Sequence, residues 1–327
     1  MRTSILATGF SCIALAAGAQ TPVLTVYAGD YFTSEWGPGP AREAGFEAIC
    51  GCDLQFSTGD LLPRLLLEGK RTQADVVIGL TTDVLARARG AGLFGPHGQD
   101  MSALTVPVDW SDDTFLPFNW GHTAFVYDTT RMDTPPATLA EMRSLADGVT
   151  VVIQDPRTSI SGLALVLWVK SVYGDQAGAF WADLAPHILT VTQDWSASYG
   201  LFTSGEADMV LSYTTSPAYH IMAENDLTKR AAIFPEGHYF MAETVGKIAG
   251  TDQSDLADAF LAWVLTPEFQ SVIPAANWSL PAALPQEDWP AGWSDLPLPD
   301  KVLFLTETQA EAMRVEAVEE WRAALSR

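Results

Sequence analysis

The sequence predicts an α/β fold of two lobes, in which mostly parallel sheets are flanked by helices. Three observations support this prediction. Short β-branched runs alternate with helical patterns near the start of the chain, the alternation begins again in its middle, and two extended segments flank this second part. Because strands that alternate with helices form parallel sheets covered on both faces, each alternating part predicts one lobe.

The first half begins with a strand and continues in alternating order. Residues 23–27 form a β-branched run typical of a buried strand. A polar, aromatic loop at 28–36 leads through Gly37-Pro38-Gly39-Pro40 into a helix. The elements predicted next are a strand at 53–56, a helix at 61–68, a strand at 75–80 and a helix at 82–90.

The second half repeats this order and is followed by a helical tail. Its predicted elements are a strand at 149–153, helices at 163–173 and 181–189, and a strand at 207–212. Residues 252–327 are predicted to be mainly helical, with proline-rich turns between residues 281 and 299.

Two extended segments, 118–127 and 238–249, flank the second half and are interpreted as crossings between the lobes. We therefore expect a discontinuous first lobe made of residues 20–120 and 240–327. The second lobe is expected to comprise residues 121–239. Each half is too small to account for the whole chain, which is why two lobes are predicted rather than one.

Acidic residues dominate the charge of the chain. Of its 327 residues, 40 are Asp or Glu and 18 are Lys or Arg, which gives a formal net charge of −22, and 48% are hydrophobic. That hydrophobic share supports a folded core and argues against disorder. An acidic surface repels nucleic acid and anionic lipid. We expect a soluble protein that binds neither nucleic acid nor membrane and that is compatible with a cationic ligand.

Residues 1–19 have the pattern of a signal peptide. Arg2 supplies the positive end, residues 5–16 form the apolar stretch, and Ala17-Gly18-Ala19 is a small-residue site. We expect cleavage after Ala19 and export of the processed protein. A buried N-terminal helix is the alternative, although the segment has no amphipathic period. No other stretch reaches the ~18 continuous apolar residues that a membrane span needs.

Two cysteines, Cys50 and Cys52, remain once that segment is removed. An even number in an oxidising compartment favours a local disulfide, and the intervening Gly51 makes so small a ring easier to close. The functional alternative is a redox dithiol or a metal pair. Two thiolates without nearby Cys or His make a poor metal site, so a structural bridge is the preferred interpretation.

The chain contains no recognisable catalytic or metal-binding motif. Its five histidines show neither His-x-His nor His-Glu-x-x-His spacing. It also lacks the Gly-x-Ser-x-Gly elbow and the Gly-x-x-x-x-Gly-Lys-Ser/Thr phosphate loop. The sequence therefore favours a binding protein over an enzyme, and it assigns no catalytic residue, metal or cofactor.

Five aromatic residues lie in or beside polar loops rather than within apolar runs, namely Trp36, Trp195, Tyr213, Tyr219 and Trp278. Loops that follow parallel strands meet at the edge where α/β proteins bind ligands. Facing rings at such an edge suit a flat cationic ligand, through stacking and cation–π attraction. The alternative is that these rings cover the core or fill hinges.

Three predicted helix starts are rich in hydroxyl groups. They are residues 158–162, with Ser159, Ser161 and Gly162; residues 214–217; and residues 58–60, with Gly59 and Asp60. Hydroxyl and free N–H groups at a helix start bind anions such as phosphate. The same residues are also ordinary N-caps, and both interpretations stay open at the level of the sequence.

Several longer segments resemble the thiamine-binding periplasmic proteins of bacterial ABC transporters. They are VLTVYAGDYFTSEWGPGP, EGKRTQADVVIGL, DDTFLPFNWGHTAFVYD, QDPRTSISGLALVLW, SYGLFTSGEADMVLSYTTSPAYH and TPEFQSVIPAANWSLP. SYTTSPAYH and the WGPGP loop are the specific part of a likeness that covers almost the whole chain from about Val23. The resemblance implies a type II periplasmic-binding-protein fold, whose cleft between two lobes closes on a ligand.

The resemblance also implies a ligand and its contacts. That family holds the thiamine rings among aromatic side chains, and thiamine phosphates place their phosphate near helix-start hydroxyls. The contacts carried over by motif are Trp36, Trp195, Tyr213, Tyr219, Trp278, Ser159, Ser161, Gly162, Gly59 and Asp60. The implied role is capture of thiamine, with thiamine phosphate and diphosphate as further candidates. Solute capture needs only a monomer, so a monomeric protein is expected. The ligand would then pass to a membrane permease that works with an ATPase subunit.

Two features depart from the family pattern. Gly29 stands where the first loop often carries an additional Tyr, which would make one wall of the site thinner. The loop after the second strand, LQFSTGDLLPRL, is shorter than in relatives. The shorter loop would change how Gly59 and Asp60 contact the ligand and how strongly the protein prefers phosphate esters.

Three alternatives remain. A thiaminase-type enzyme shares the two-lobe architecture but needs a cysteine nucleophile in the cleft, whereas the two cysteines here are predicted to be paired. A ferric-iron-binding protein of the same fold would need neighbouring tyrosines, for which Tyr213 and Tyr219 are the candidates. A polyamine-binding protein would need several carboxylates, for which Asp60, Asp155 and Asp194 are the candidates.

Overall fold

The structure is a computed structural model that describes residues 21–35 and 37–326. The predicted signal peptide and Trp36 lie outside the described residues, so the predictions made for them stay predictions. Within the described ranges, helices pack on a curled sheet built from strands of both halves of the chain.

The sheet is a connected path of strands in the order β2-β1-β3-β9-β4-β7-β5-β6. Their bounds are β1 Val23–Ala28, β2 Asp53–Thr58, β3 Val76–Thr81, β4 Phe115–Asp128, β5 Val151–Gln154, β6 Ile188–Thr192, β7 Met209–Tyr213 and β9 His238–Lys247. Three short strands pair at its sides: β8 Lys229–Ala231 and β10 Leu280–Pro281 with β4, and β11 Val302–Leu303 with β9.

Strand directions agree with the prediction of mostly parallel sheets within each half. Strand β1 is parallel to β2 and β3, and β5 is parallel to β6 and β7. The antiparallel pairs involve the long strands β4 and β9, which pair with each other and join β3 on one side to β7 on the other. Strand β4 contains the extended segment predicted at 118–127, and β9 covers all but the last two residues of the segment predicted at 238–249.

Helices cover the faces of this sheet. Their bounds are α1 Asp30–Thr33, α2 Gly39–Cys50, α3 Leu61–Glu68, α4 Leu85–Gly90, α5 Ile160–Tyr173, α6 Ala177–Leu184, α7 Trp195–Thr203, α8 Pro217–Tyr219, α9 Ser254–Val264, α10 Pro267–Gln270 and α11 Glu307–Leu325. None of the helices described is both long and apolar enough to cross a membrane.

Most predicted elements are confirmed, but the helix predicted at 181–189 is wrong in its second half. Helix α6 ends at Leu184, a 3₁₀ turn covers Ala185–His187, and strand β6 follows. Pro186 lacks the N–H that an α-helix would need there. The Ile-Leu-Thr-Val-Thr run of β6 is rich in β-branched residues, which favour a strand over the predicted helix.

Two other boundaries differ from the prediction. The loop predicted at 28–36 contains the short helix α1, and the helix predicted from residue 82 begins with the 3₁₀ turn Thr82–Val84 before α4.

At the end of α2 the structure has a disulfide between Cys50 and Cys52. Gly51 between them has a φ of 62°, a left-handed conformation that glycine adopts without strain.

Helix α11 packs against the second half of the chain, although residues 240–327 were predicted to belong to the first lobe. Ala310, Ala317 and Trp321 are buried in one core cluster with residues of α5 and α6. The apolar face of α11 is therefore covered by helices of the predicted second lobe, a relation between distant segments that periodicity cannot reveal. The other lobe boundaries stay a proposal.

Candidate functional site

Tyr213 is the last residue of strand β7, where it meets Ser161, a second predicted ligand contact. Strand β7 pairs with β4 so that Tyr213 is opposite Thr123. Its hydroxyl is 2.8 Å from Oγ of Ser161, at the start of α5. Burial raises the pKa of Tyr213 well above the ordinary value, so the hydroxyl is a neutral hydrogen-bonding group. Two predicted contacts, Tyr213 and Ser161, are thus brought together.

The start of α5 is an N-capped helix pressed against strand β5. Ser159 is the N-cap, and its Oγ accepts a hydrogen bond from the backbone N–H of Gly162 at 3.4 Å. A Cβ on Gly162 would lie only 2.6 Å from the carbonyl oxygen of Gln154, so glycine allows the close approach of helix and strand. The capping role considered for Ser159 is therefore present, and an anion-binding role for these residues stays a prediction.

Trp195 begins helix α7 and forms one end of an aromatic stack. Its indole N–H donates to Oγ of Ser212 at 2.8 Å. The ring stacks on Tyr199, with centroids 4.5 Å apart, and Tyr199 in turn stacks on His220 at 5.8 Å. Tyr199 was missed in the sequence, although its position four residues after Trp195 places both rings on one helix face.

Tyr219 and Trp278 meet edge to face, with ring centroids 5.3 Å apart and planes at 83°. Tyr219 ends the short helix α8 and is 38% exposed. Trp278 follows the π-helical turn Ile273–Asn277 and has a φ of 51°. A left-handed backbone is rare for so bulky a residue, and such outliers cluster at ligand sites. This contact joins a residue of the predicted second lobe to one of the predicted first lobe.

A buried polar cluster centred on Glu243 lies on the crossing strands and was missed in the sequence. The hydroxyl of Tyr31 and the side-chain amide of Asn119 donate to the two carboxylate oxygens of Glu243. The amide of Asn277 lies 3.3 Å from one of the same oxygens. Glu243 is 5% exposed, and burial raises its pKa. The sequence signal that could have identified Glu243 is its position as an acidic residue within the extended segment predicted at 238–249.

Tyr31 occupies the space beside Gly29, the position at which the chain departs from the family pattern. A Cβ on Gly29 would lie 2.6 Å from the ring of Tyr31, and one on Gly79 would lie 2.8 Å from its hydroxyl. The ring therefore packs over two glycines while its hydroxyl reaches Glu243. The space beside Gly29 is therefore filled by the ring of Tyr31, a tyrosine two residues further along the chain.

Gly59 and Asp60 lie at the exposed start of α3. Asp60 is the N-cap of that helix, and its side chain makes no capping hydrogen bond. The hydroxyls of Thr58 and Thr33 are 2.9 Å apart, which ties this loop to α1. Among the described residues, neither Gly59 nor Asp60 forms a hydrogen bond to the residues around Tyr213. Their role as contacts stays a prediction.

His220, Glu224 and Asp226 carry ligand atoms within 4.8 Å of one another, the spacing of a possible metal site. Each residue already has a protein partner, however. The ring nitrogens of His220 lie 2.9 Å from the hydroxyl of Tyr199 and 2.7 Å from Glu224, while Asp226 is bound by Thr228 and Lys229. This arrangement is a hydrogen-bond network that positions the aromatic stack.

Comparison with known proteins identifies the family of this chain. Residues 34–271 match the model of the family described as bacterial extracellular solute-binding proteins. A thiamine-binding periplasmic protein of Brucella melitensis biotype 1 is 45% identical over 97% of this chain and 97% of its own length. One from Escherichia coli (strain K12) is 45% identical over 94% of each chain.

A solved structure has the same fold. It is a periplasmic thiamin binding protein, 45% identical, and its TM-score to this chain is 0.90 over 94% of this chain and 97% of its own. The predicted two-lobe, type II fold class is therefore confirmed. Since these relatives are named as binding proteins, the prediction of a binding protein rather than an enzyme is confirmed as well. The chain belongs to the bacterial extracellular solute-binding protein family.

Proposed function

We propose that this protein captures thiamine in the periplasm and delivers it to the membrane permease of an ABC importer. The names of its relatives support the ligand and the compartment. The structural observation that carries the proposal is the meeting of Tyr219 and Trp278 across the predicted lobes. Aromatic groups from both sides of a cleft can enclose a flat ligand and couple its binding to closure.

The chemistry of thiamine matches the residues brought together around Tyr213. Its aminopyrimidine is a flat ring that stacks on aromatic side chains, and its thiazolium is a permanent cation that aromatic faces attract. Its hydroxyethyl tail can hydrogen-bond to hydroxyls such as that of Ser161. The acidic chain, with a formal net charge of −22, attracts a cation at long range.

Phosphate esters of thiamine are proposed as further ligands, held at the start of α5. This helix runs from Ile160 to Tyr173, long enough for its N-terminal N–H groups to favour an anion. Ser161 contributes a hydroxyl that is 1% exposed and already faces the Tyr213 side chain. The phosphate is therefore expected beside the hydroxyls of Ser161 and Tyr213.

We expect cleavage after Ala19, a monomeric mature protein, and contact with the ATPase subunit only through the permease. No cofactor is assigned, because the proposed ligand is itself the transported molecule. Two lobes that close on a ligand need no second copy of the chain for capture.

Calorimetric titration of the refolded, ligand-free mature protein with thiamine tests the function. Submicromolar binding with quenching of tryptophan fluorescence is expected. Tyr219→Ala, Trp278→Ala and Trp36→Ala should each weaken binding by about tenfold or more, since each removes a stacking ring. Tyr219→Phe is the matched control, because it keeps the ring and removes only the hydroxyl, and its affinity should stay close to that of the wild type.

Other outcomes would contradict the proposal in distinct ways. Unchanged affinity in all three alanine variants would reject the proposed site. Stabilisation by spermidine but not by thiamine, or a coloured ferric complex, would show a different ligand of the same fold. Base exchange on incubation with thiamine and pyridine would show a thiaminase-type enzyme.

A further inference from the structure

Glu243 is a buried carboxylate whose hydrogen-bond partners are all neutral. It lies on β9, is 5% exposed, and accepts hydrogen bonds from Tyr31, Asn119 and Asn277. None of the ion pairs among the described residues includes it. The three donors orient both oxygens, but they leave the negative charge without a cationic partner.

A buried, ionised carboxylate without a cationic partner destabilises the folded protein unless a positively charged group binds beside it. Removing a carboxylate from water disfavours its ionised form, and here burial raises the pKa of Glu243. The chain does compensate another buried carboxylate on the other crossing strand: Asp128 of β4 is 8% exposed and pairs with the amine of Lys229 at 2.8 Å. Glu243, unlike Asp128, has no cationic partner among the described residues, and a bound cationic ligand would supply one.

The neighbours of Glu243 connect it to the predicted ligand contacts. Asn277 directly precedes Trp278, whose ring meets Tyr219. Burial is the main reason for the raised pKa of Tyr213, and the nearby charges of Glu243 and Asp83 add to it. Burial and Glu243 likewise raise the pKa of Tyr31. The carboxylate is thus close enough to Tyr213 to affect its pKa, and it is hydrogen-bonded to Asn277, the residue before Trp278.

We propose that Glu243 supplies the counter-charge for the cationic ring of the ligand and thereby selects a permanently charged ligand over a neutral one of the same shape. This inference rests on the proposed function, since it takes thiamine as the ligand. Tyr31, Asn119 and Asn277 are then positioning residues that hold the carboxylate toward the cleft. Their neutral hydrogen bonds orient the charge without cancelling it.

The test compares thiamine with an analogue in which a neutral thiophene replaces the thiazolium. Wild-type protein should bind thiamine at least about tenfold more tightly than the analogue, because only thiamine completes the buried charge pair. In Glu243→Gln, affinity for thiamine should fall by about tenfold or more, while affinity for the analogue should stay within about twofold or improve. The side chain keeps its length, loses its charge and exchanges one of its two accepting oxygens for an amide NH2 group.

Glu319→Gln is the matched control, since it removes one carboxylate from the exposed surface of α11, where Glu319 pairs with Arg322. Both affinities should stay at wild-type values, which separates the local charge from the general acidity of the protein.

Two outcomes would overturn the inference about Glu243. One is an unchanged preference for thiamine in folded Glu243→Gln, as judged by circular dichroism. The other is equal affinity of the wild type for thiamine and its neutral analogue, a measurement that decides the question even if the variant does not fold. Failure of the wild type to bind either molecule would instead contradict the proposed function, and the inference with it.

Discussion

Asp83 is a second buried carboxylate without a cationic partner, and its protonation should be visible in the stability of the protein. It is 1% exposed, accepts a hydrogen bond from the hydroxyl of Tyr239, and its Oδ2 has no partner among the described residues. Burial raises the pKa of Asp83 to about 7. A carboxyl that is protonated in the folded state binds a proton that the unfolded chain releases at lower pH.

Asp83→Asn should therefore stabilise the protein at pH 8 and have little effect at pH 4. The folded-state pKa of about 7 exceeds the ordinary 3.8, so ionisation of Asp83 makes the wild type lose stability as pH rises between these values. Asn cannot ionise and still accepts from Tyr239. The gain in the free energy of unfolding at pH 8 should approach an upper limit of about 4 kcal/mol, measured by urea denaturation.

The control is Asp183→Asn, which changes a carboxylate that is 47% exposed on α6. It should alter the free energy of unfolding by no more than about 0.5 kcal/mol at either pH. A stabilisation by Asp83→Asn that is the same at pH 4 and pH 8 would show that its cause is packing rather than ionisation.

At the scale of the element, the start of α5 shows how a helix is held against the end of a strand. The N-cap Ser159 satisfies one backbone donor, and the missing side chain of Gly162 lets the helix approach Gln154 and Asp155 of the strand end. The same contact keeps Ser161 beside Tyr213. The position of a proposed ligand contact therefore depends on a glycine that packs against backbone.

Gly162→Ala should destabilise the protein by about 1–3 kcal/mol and weaken thiamine binding. The added Cβ would lie 2.6 Å from the carbonyl oxygen of Gln154, so α5 must move away from β5. Urea denaturation measures the first effect and calorimetry the second.

Gly178→Ala in α6 offers a matched comparison. No atom lies within 4 Å of the Cβ that it would add, so the change should stabilise the helix by about 0.5–1 kcal/mol. If both variants were stabilised alike, the close approach at Gly162 would have no energetic role.

At the scale of the whole molecule, helix α11 connects the two halves of the chain. Arg89 of α4 binds Glu307 at its start at 3.0 Å, and the buried amine of Lys170 on α5 binds Glu320 near its end at 2.8 Å. Trp321 is 4% exposed in the core cluster that contains α5 and α6. The last helix thus completes the core of the second half, far from its own neighbours in sequence.

Trp321→Ala should lower the free energy of unfolding by about 3–5 kcal/mol, because it opens a cavity between α11 and the α5–α6 pair. Val315→Ala on the same helix is the control, since Val315 is 58% exposed and its loss should cost no more than about 0.5 kcal/mol. Urea denaturation monitored by circular dichroism measures both. Equal effects of the two variants would mean that α11 contributes nothing specific to that core.

Much of the fold could be predicted from local patterns. Helix α3 has the bounds predicted for it, residues 61–68, because its leucine spacing is amphipathic and Gly69 follows it. Strands β1 and β3 were found from β-branched runs. Strand β6 was missed because Pro186 and the short β-branched run after it were included in a predicted helix.

The candidate site was predicted only in part. Tyr213 and Ser161 were expected to serve the same ligand, and the structure brings them within 2.8 Å of each other. Glu243 and Asn119 were missed because they lie inside extended strands, where one polar residue has no periodic signature. The two residues come together only because β4 pairs with β9 in the register that places Asn119 opposite Glu243.

The sequence by itself determined most of the secondary structure, because helices and strands depend on residues near one another along the chain. It also determined the acidic character and the family resemblance, because these depend only on which residues the chain contains and on their order. The tertiary structure decided which polar groups share a buried space. The meeting of Tyr31, Asn119, Glu243 and Asn277 requires four separate segments to converge. The placement of α11 on the second half likewise depends on which apolar faces fit together. The local sequence pattern of a helix shows that it has an apolar face but not which other element covers that face.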